Sequence, residues 1–592
     1  MEMNQENSKW RLSDMYAADG DWYRELSELK KLSEQLAARK GNAAASAGDL
    51  LETIRLYSAT FLKASQLGVY AHSNFDQNMA DAAAKELMET FESTCSAMNE
   101  KLAFLAPELM RYTLADYERY CGELPELKQY DRLAKDFFAK KEHILDDTME
   151  EFMVRMADLS DSYDKIFSDL TVNDTVHPEI DGPDGKKVTV TEANYGGAMI
   201  SPDRDFRRNF FNTMLGLYGG HINTLTSNYY AYVKSNVYLA KSRKYSSARA
   251  QSLAENHIPE QVYDNLVSTV RAGTAPLREY VFLRKQLLGI DDFHFYDFFV
   301  PIVPDVDRQY SYEEAEELVL RATAVLGEDY AALMKTAMED RWIDIYPAKN
   351  KVSGAYSTGA YGHHPFMLLN YDSTLDDVFT LAHELGHSMH TWFSNNTQPF
   401  LYSDYSLFCA EVASTTNEML LYHYMLEHAE SKELKALLLS KHLDDIRSTF
   451  YRQTMFADFE QQTHARAQQG EPLLPQVLCG IHKKLNEDYY GPELVTDDAL
   501  SWEWARIPHF YRAFYVYQYA TGISAAIAIS RRILSGVPNA VEDYRKFLSG
   551  GHSQHPIDLL RIAGVDMASP KAVQDTIDEF ADTLAQLKEL LA

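Results

Sequence analysis

Apolar residues recur along most of the chain at three- and four-residue spacing, the pattern of helices that bury one face. From about residue 20 to 170 this pattern is almost unbroken. It is rich in Leu, Ala, Lys and Glu and nearly free of proline, which predicts near-continuous helix. Leu105-Ala106-Pro107-Glu108 puts a proline in what reads as a first helical turn. Between about 170 and 200 the texture changes. Leu170-Thr-Val-Asn-Asp-Thr-Val and Lys187-Val-Thr-Val-Thr flank Asp181-Gly-Pro-Asp-Gly185, which predicts a β-hairpin with a glycine-rich turn. Ser201 before Pro202 reads as an N-cap, so helix resumes there. A soft domain boundary follows: a helical region over 1–200 that ends in the hairpin, and a second domain over 201–592.

Helical spacing returns from 205 to about 285, interrupted at Tyr245-Ser246-Ser247 and restarted at Pro259. The aromatic, proline-rich stretch 291–309 reads as a connector, and Ser311-Tyr-Glu-Glu314 as a capping box. A second non-helical island covers 341–371. Its segments 352–356 and 366–371 read as two strands around Ser357-Thr-Gly-Ala-Tyr-Gly-His-His364. The 366–371 strand either offers an open edge to a peptide backbone, which Gly354 and Gly359 would let approach closely, or packs as an ordinary hairpin. Thr374 then caps a helix with Asp376 and Asp377 in its first turn, and Asn395, Asn396 and Pro399 end it. Helix dominates from 402 onward. The predicted fold class is mainly α, with a small β-hairpin next to the helix that starts at Thr374.

That helix carries the chemistry. His383, Glu384 and His387 stand in the spacing H-E-x-x-H, which places both imidazoles on one helical face. Two such imidazoles can bind one zinc ion, and the glutamate between them can reach a water on the metal. Catalytic zinc takes three protein ligands. A third histidine six positions after His387 is absent, because residue 393 is Phe. Asp404, Glu411 and Glu418 are the carboxylate candidates. Glu411 stands out because Phe408-Cys-Ala before it and Val-Ala-Ser414 after it are apolar or small, and a buried glutamate needs a compensating charge. Glu418, two turns on, suits either the orienting of a ligand imidazole or a plain helix salt bridge. Gly386 leaves room for a neighbouring element. His363, His364 and His390 have no spacing that requires metal, and Cys409 reads as a small buried residue.

Composition narrows the partners. A chain of 592 residues is too long for one core. A net charge of -30 argues against nucleic acid and anionic lipid as partners. Four cysteines without CxxC spacing exclude a cysteine-based zinc site and suggest a reducing compartment. The polar start Met1-Glu-Met-Asn-Gln-Glu-Asn7 has no secretory pattern. The apolar run 522–530 stops at Arg531-Arg532, too short to span a bilayer. A cytoplasmic protein is expected.

The run from Leu369 to His390, with Glu411 in an F-x-x-E-x-x-S setting, resembles the thimet-oligopeptidase-like metallopeptidases and, more narrowly, the oligoendopeptidase F branch. The similarity covers nearly the whole chain. It includes Trp10-Arg-Leu-Ser-Asp14, Ala240-Lys-Ser-Arg-Lys-Tyr-Ser246, Ser353-Gly-Ala-Tyr-Ser-Thr-Gly359, Phe547-Leu-Ser-Gly-Gly-His-Ser553 and Ala563-Gly-Val-Asp-Met567. The resemblance implies a two-lobed helical fold enclosing a deep channel, one zinc ion per chain on its floor, and hydrolysis of internal bonds in short peptides. It makes His383, His387 and Glu411 the zinc ligands and Glu384 the general base. It also implies donors to the oxyanion within Arg506-Ile-Pro-His-Phe-Tyr-Arg-Ala-Phe-Tyr-Val-Tyr-Gln-Tyr519, where neutral imidazole and phenol groups suit that task. His509 matches; among the tyrosines Tyr515 is the first choice, ahead of Tyr511, Tyr517 and Tyr519, some of which are packing aromatics. Rival readings are a catalytically silent peptide-binding protein on the same fold and a hydrolase of another amide. The intact Glu384 and ligand set weigh against the first, and peptides of increasing length, with and without chelator, separate all three.

Overall fold

The computed structural model describes residues 8–146, 149–150, 153, 162–303 and 308–592, most of them helical. Strands are short. β1 (Glu179–Asp181) and β2 (Lys187–Thr189) form the expected antiparallel hairpin, with Ile180 opposite Val188. Its first strand begins later than the sequence suggested, because Asp169–Asp174 is a π-helical turn. The Thr171 and Thr175 hydroxyls donate to the carbonyls of Phe167 and Leu170, so these β-branched residues close a helix end instead of opening a strand. The next long helix, Arg204–Gly220, is capped by Asp203, whose side chain accepts the Phe206 N–H at 3.0 Å. Ser201 lies outside it and offers its carbonyl to Arg207. Within the aromatic, proline-rich stretch 291–309, β3 (Phe293–His294) pairs in parallel with a distant strand, Leu494–Val495.

The sheet at the second island has three strands, β4 (Ile343–Asp344), β5 (Tyr356–Thr358) and β6 (Phe366–Leu368), in the order β4-β6-β5. β6 is therefore central, parallel to β4 and antiparallel to β5, and all three of its residues are buried. The open edge proposed for 366–371 does not exist over these residues. The outer strands are β4 and β5. A two-residue strand such as β4 leaves no alternation to read, and its presence decides which strand is at the edge.

The chain divides into two compact units. The first comprises Met1–Glu142, Arg308–Met425 and Ile529–Gly564; the second comprises His143–Asp307, Leu426–Ala528 and Val565–Ala592. Residue 200, where the change of texture suggested a boundary, lies inside His143–Asp307. In the first unit the helices Asp19–Ala37, Ala47–Gln77 and Ala82–Leu102 bury Trp22, Leu29, Leu67 and Leu87 in one cluster with Phe366 and Leu368 of β6. Trp22 Nε1 donates to the Leu67 carbonyl at 3.0 Å. Asp344 in β4 is buried and accepts from Gln77 Nε2 and Lys351 Nζ, each at 2.6 Å. The small sheet is thus anchored on its far side and leaves β5 against the helix that follows.

In the second unit the helix Arg452–Gln468 runs through the interior. Buried Glu503 accepts from Arg452 Nη2 at 2.8 Å and bonds His482 Nε2 at 3.1 Å. Burial alone would raise the Glu503 pKa, but these two groups hold it well below the carboxylate range. No helix among the described residues is long and apolar enough to cross a membrane.

Candidate metal centre

The helix Leu375–Thr397 starts as predicted. Thr374 Oγ1 accepts the Asp377 N–H at 3.1 Å and Asp377 accepts the Thr374 N–H at 2.9 Å, a reciprocal cap that pins the first turn. Two turns on, His383 and His387 share a face with their Nε2 atoms 3.2 Å apart. The helix Leu407–Glu427 crosses at Gly386. A Cβ on Gly386 would lie 2.6 Å from Ser414 Cα and 2.7 Å from the Ala413 carbonyl oxygen, so only hydrogen fits. Buried Asn417 ties the crossing by donating to the Ala382 carbonyl at 3.2 Å. Both acids reach the histidines because the helices meet so closely. Glu411 Oε2 is 3.6 Å from His383 Nε2, and Glu418 bonds His383 Nδ1.

These positions fit a zinc ion. One donor atom from each of His383, His387 and Glu411 lies within 4.8 Å of the others. Tetrahedral coordination with bonds near 2.0–2.1 Å separates donors by about 3.3 Å, and the 3.2 Å and 3.6 Å separations here bracket that value. The set is two imidazoles and a carboxylate, a combination zinc favours. Glu418 takes the Nδ1 side of His383, which turns Nε2 toward the cluster. Asp404 stands apart and accepts the Tyr405 N–H at 2.8 Å.

Glu384 is 7% exposed, and its Oε2 meets no hydrogen-bond partner among the described residues. Burial pushes its pKa up to about 7 against the pull of His383, with the Glu411 and Glu418 charges adding to the rise. The backbone N–H of Ser357, the middle residue of β5, is directed at its carboxylate. Ser357 Oγ in turn bonds Ser388 Oγ at 2.8 Å, fixing strand against helix. This serine pair escaped the sequence reading; the Ser353–Gly359 motif was its only signal. Burial drives His387 down to about 3, and a neutral imidazole is the form that binds metal. At His383 burial also lowers the pKa, but the Glu418 bond and charge outweigh it and carry the value to about 9.

The three other histidines singled out in the sequence are not gathered with the cluster. His390 is buried and stacks on Tyr405 with ring centroids 3.6 Å apart. His364 stacks on Trp342 and bonds Asp14 at 3.1 Å. His363 is half-buried.

In the second unit the expected helix start at 506–519 is a 3-10 turn, Pro508–Tyr511, then a break, then a helix from Tyr517. Phe514, in the break, has φ +55°. His509 stacks on Tyr515 at 6.1 Å, and Tyr519 OH donates to Tyr515 OH at 3.5 Å. Burial, helped by Arg512, lowers the His509 pKa and keeps the ring neutral. Tyr511 accepts from Asn228 Nδ2 at 3.0 Å among the rings of Phe167 and Tyr232, and Tyr517 packs on Tyr263. Those two are packing aromatics, which leaves Tyr515 and Tyr519 beside His509.

Known proteins carry the same arrangement of elements. The profile described as peptidase family M3 matches residues 198–579, and one described as Oligopeptidase F matches 108–176. The chain belongs to peptidase family M3. It is 38% identical over 582 residues to Oligopeptidase PepF of Bacillus subtilis, covering 98% of this chain and 87% of that one. A solved Chlamydophila abortus peptidase superposes with TM-score 0.91 at 30% identity over 100% of this chain and 99% of that one. Oligoendopeptidase-F of Enterococcus faecium gives 0.75 at 32% identity over 97% and 99%. This M3 peptidase is a metalloendopeptidase with a mainly helical fold.

Proposed function

We propose that this M3 peptidase is a zinc oligoendopeptidase that hydrolyses internal bonds of short peptides. His383, His387 and Glu411 are its zinc ligands and Glu384 its general base. One observation carries the reading: a three-donor cluster at zinc spacing beside a buried carboxylate whose second oxygen has no partner. The restriction to short peptides draws on the oligopeptidase names of its full-length relatives. When bound, zinc supplies Lewis acidity to the scissile carbonyl and lowers the pKa of a water. Glu384 takes the proton of the attacking water and delivers it to the leaving amine. Glu418 holds the tautomer of His383. His509 and Tyr515 donate to the developing oxyanion. β5, the outer strand on the side of the helix Leu375–Thr397, offers its backbone to an extended substrate next to Glu384, the role the sequence suggests for 366–371. The four free cysteines support a reducing compartment, the cytoplasm.

A panel of quenched peptides of increasing length tests this. Internal cleavage of the short members, loss of activity with chelator and its return with zinc are expected. Peptide binding without cleavage in the zinc-loaded protein would point to the silent binder instead. Replacing Glu418 by Gln tests its part separately. The variant keeps the size but accepts poorly from Nδ1, and zinc affinity is expected to fall about 10- to 100-fold in competition with a chromogenic chelator. Unchanged affinity would reduce Glu418 to a helix salt bridge.

A further inference from the structure

One acid in the interior of the second unit has no part in the chemistry above. Glu460, in the helix Arg452–Gln468, is 0% exposed. Its Oε1 accepts the backbone N–H of Phe514 at 3.0 Å, and its Oε2 meets no hydrogen-bond partner among the described residues. Around it stand Tyr229, Tyr232, Tyr263 and His464, each already engaged. Tyr229 OH bonds Thr463 Oγ1 at 3.0 Å, and Tyr263 OH donates to the Ala457 carbonyl at 2.6 Å. Tyr232 OH accepts the Ala513 N–H at 2.8 Å, and His464 Nδ1 bonds the Glu460 carbonyl at 2.9 Å. Burial raises the Glu460 pKa well above the usual carboxyl value and lowers that of His464 to about 4. An acid buried in such a place with one backbone N–H as its partner is an unfavourable choice for folding alone.

What it holds is unusual. Phe514 is a bulky residue at φ +55°, in the left-handed region that favours glycine. The preceding residue, Ala513, is gripped at both ends, because Tyr232 takes its N–H and Ser252 Oγ donates to its carbonyl at 3.0 Å. Tyr515 follows at once. Its N–H returns to the Arg512 carbonyl at 3.1 Å and its ring stacks on His509. We propose that Glu460 is a positioning residue: by accepting the Phe514 N–H it holds the left-handed turn that fixes where the Tyr515 hydroxyl and the His509 ring stand. This rests on the reading that His509 and Tyr515 serve the oxyanion. Without the acceptor, Phe514 relaxes to negative φ, the peptide turns over, and Tyr515 leaves its place beside His509.

Two substitutions and two readouts test it on the full-length, zinc-loaded enzyme. Glu460→Met keeps the length of the side chain and removes the carboxyl acceptor; Glu460→Gln keeps an acceptor oxygen. Glu460→Met is expected to lower kcat about tenfold or more with KM and zinc content unchanged, and to speed hydrogen exchange in the 511–516 segment. Glu460→Gln is expected to restore both, and Glu460→Met is expected to cost nothing further in a Tyr515→Phe background. Unchanged exchange in Glu460→Met, or a Gln variant as slow as the Met variant, overturns the proposal. Faster exchange together with full activity in Tyr515→Phe and His509→Ala upholds the turn and removes the oxyanion reading. Should Glu460→Met not fold, Tyr232→Phe, which removes the acceptor of the adjacent Ala513 N–H, carries the same expectation, and an unaltered kcat and exchange there overturn it equally.

Discussion

Replacing Glu384 by Gln is expected to lower kcat about a thousandfold, some 4 kcal/mol of barrier, while leaving zinc content by elemental analysis unchanged. The amide fills the same volume at the same 7% exposure and still accepts the Ser357 N–H. It has no basic oxygen, so the proton of the attacking water has nowhere to go. The proposed ligands stay intact, because the three donors that could hold the metal belong to His383, His387 and Glu411 and none comes from Glu384. The buried Oε2 without a hydrogen-bond partner supports the assignment, because it leaves a basic oxygen available to the water. A Gln variant that still cleaves a quenched short peptide at the normal rate would take Glu384 out of the mechanism.

Where side chains meet along one helix or across a pair, the sequence was legible. The spacing of His383 and His387, the cap at Thr374 and the small-residue surroundings of Glu411 are local facts, and each stands in the structure where local rules put it. The sequence allows Glu418 two roles, and its bond to His383 Nδ1 favours the orienting one. Illegible features depend on partners far along the chain. β6 became a central strand because two residues, Ile343–Asp344, pair with it from the other side. Thr171 and Thr175 have strand propensity but close a π-helical turn with their hydroxyls. Glu460 looks like any acid in a helical run, and only its distance of 54 residues from Phe514 along the chain, bridged by a hydrogen bond, marks it out. The two units are each assembled from three separated stretches, an arrangement no change of texture at residue 200 announces.

Gly386→Ala is expected to weaken zinc binding at least tenfold, although no proposed ligand is altered. The added methyl would stand 2.6 Å from Ser414 Cα and 2.7 Å from the Ala413 carbonyl oxygen. Both are backbone atoms of the helix Leu407–Glu427, so no rotamer change relieves the clash and the two helices must part by about 1 Å. Glu411 and Glu418 ride on the helix that moves, while His383 and His387 stay behind. The 3.6 Å approach of Glu411 to His383 and the Glu418 bond open together, so the proposed third donor and the proposed orienting group move off in one step. A displacement of that size costs about a hundredfold in rate even when every group is present, and here zinc affinity falls as well. Zinc titration should show at least a tenfold weaker site, with the peptidase restored only in part at saturating metal. The strain of overpacking, about 1–3 kcal/mol, should also appear as a lower Tm. A variant that loses stability but keeps full zinc affinity would mean that the crossing at Gly386 packs the unit without setting the ligand geometry.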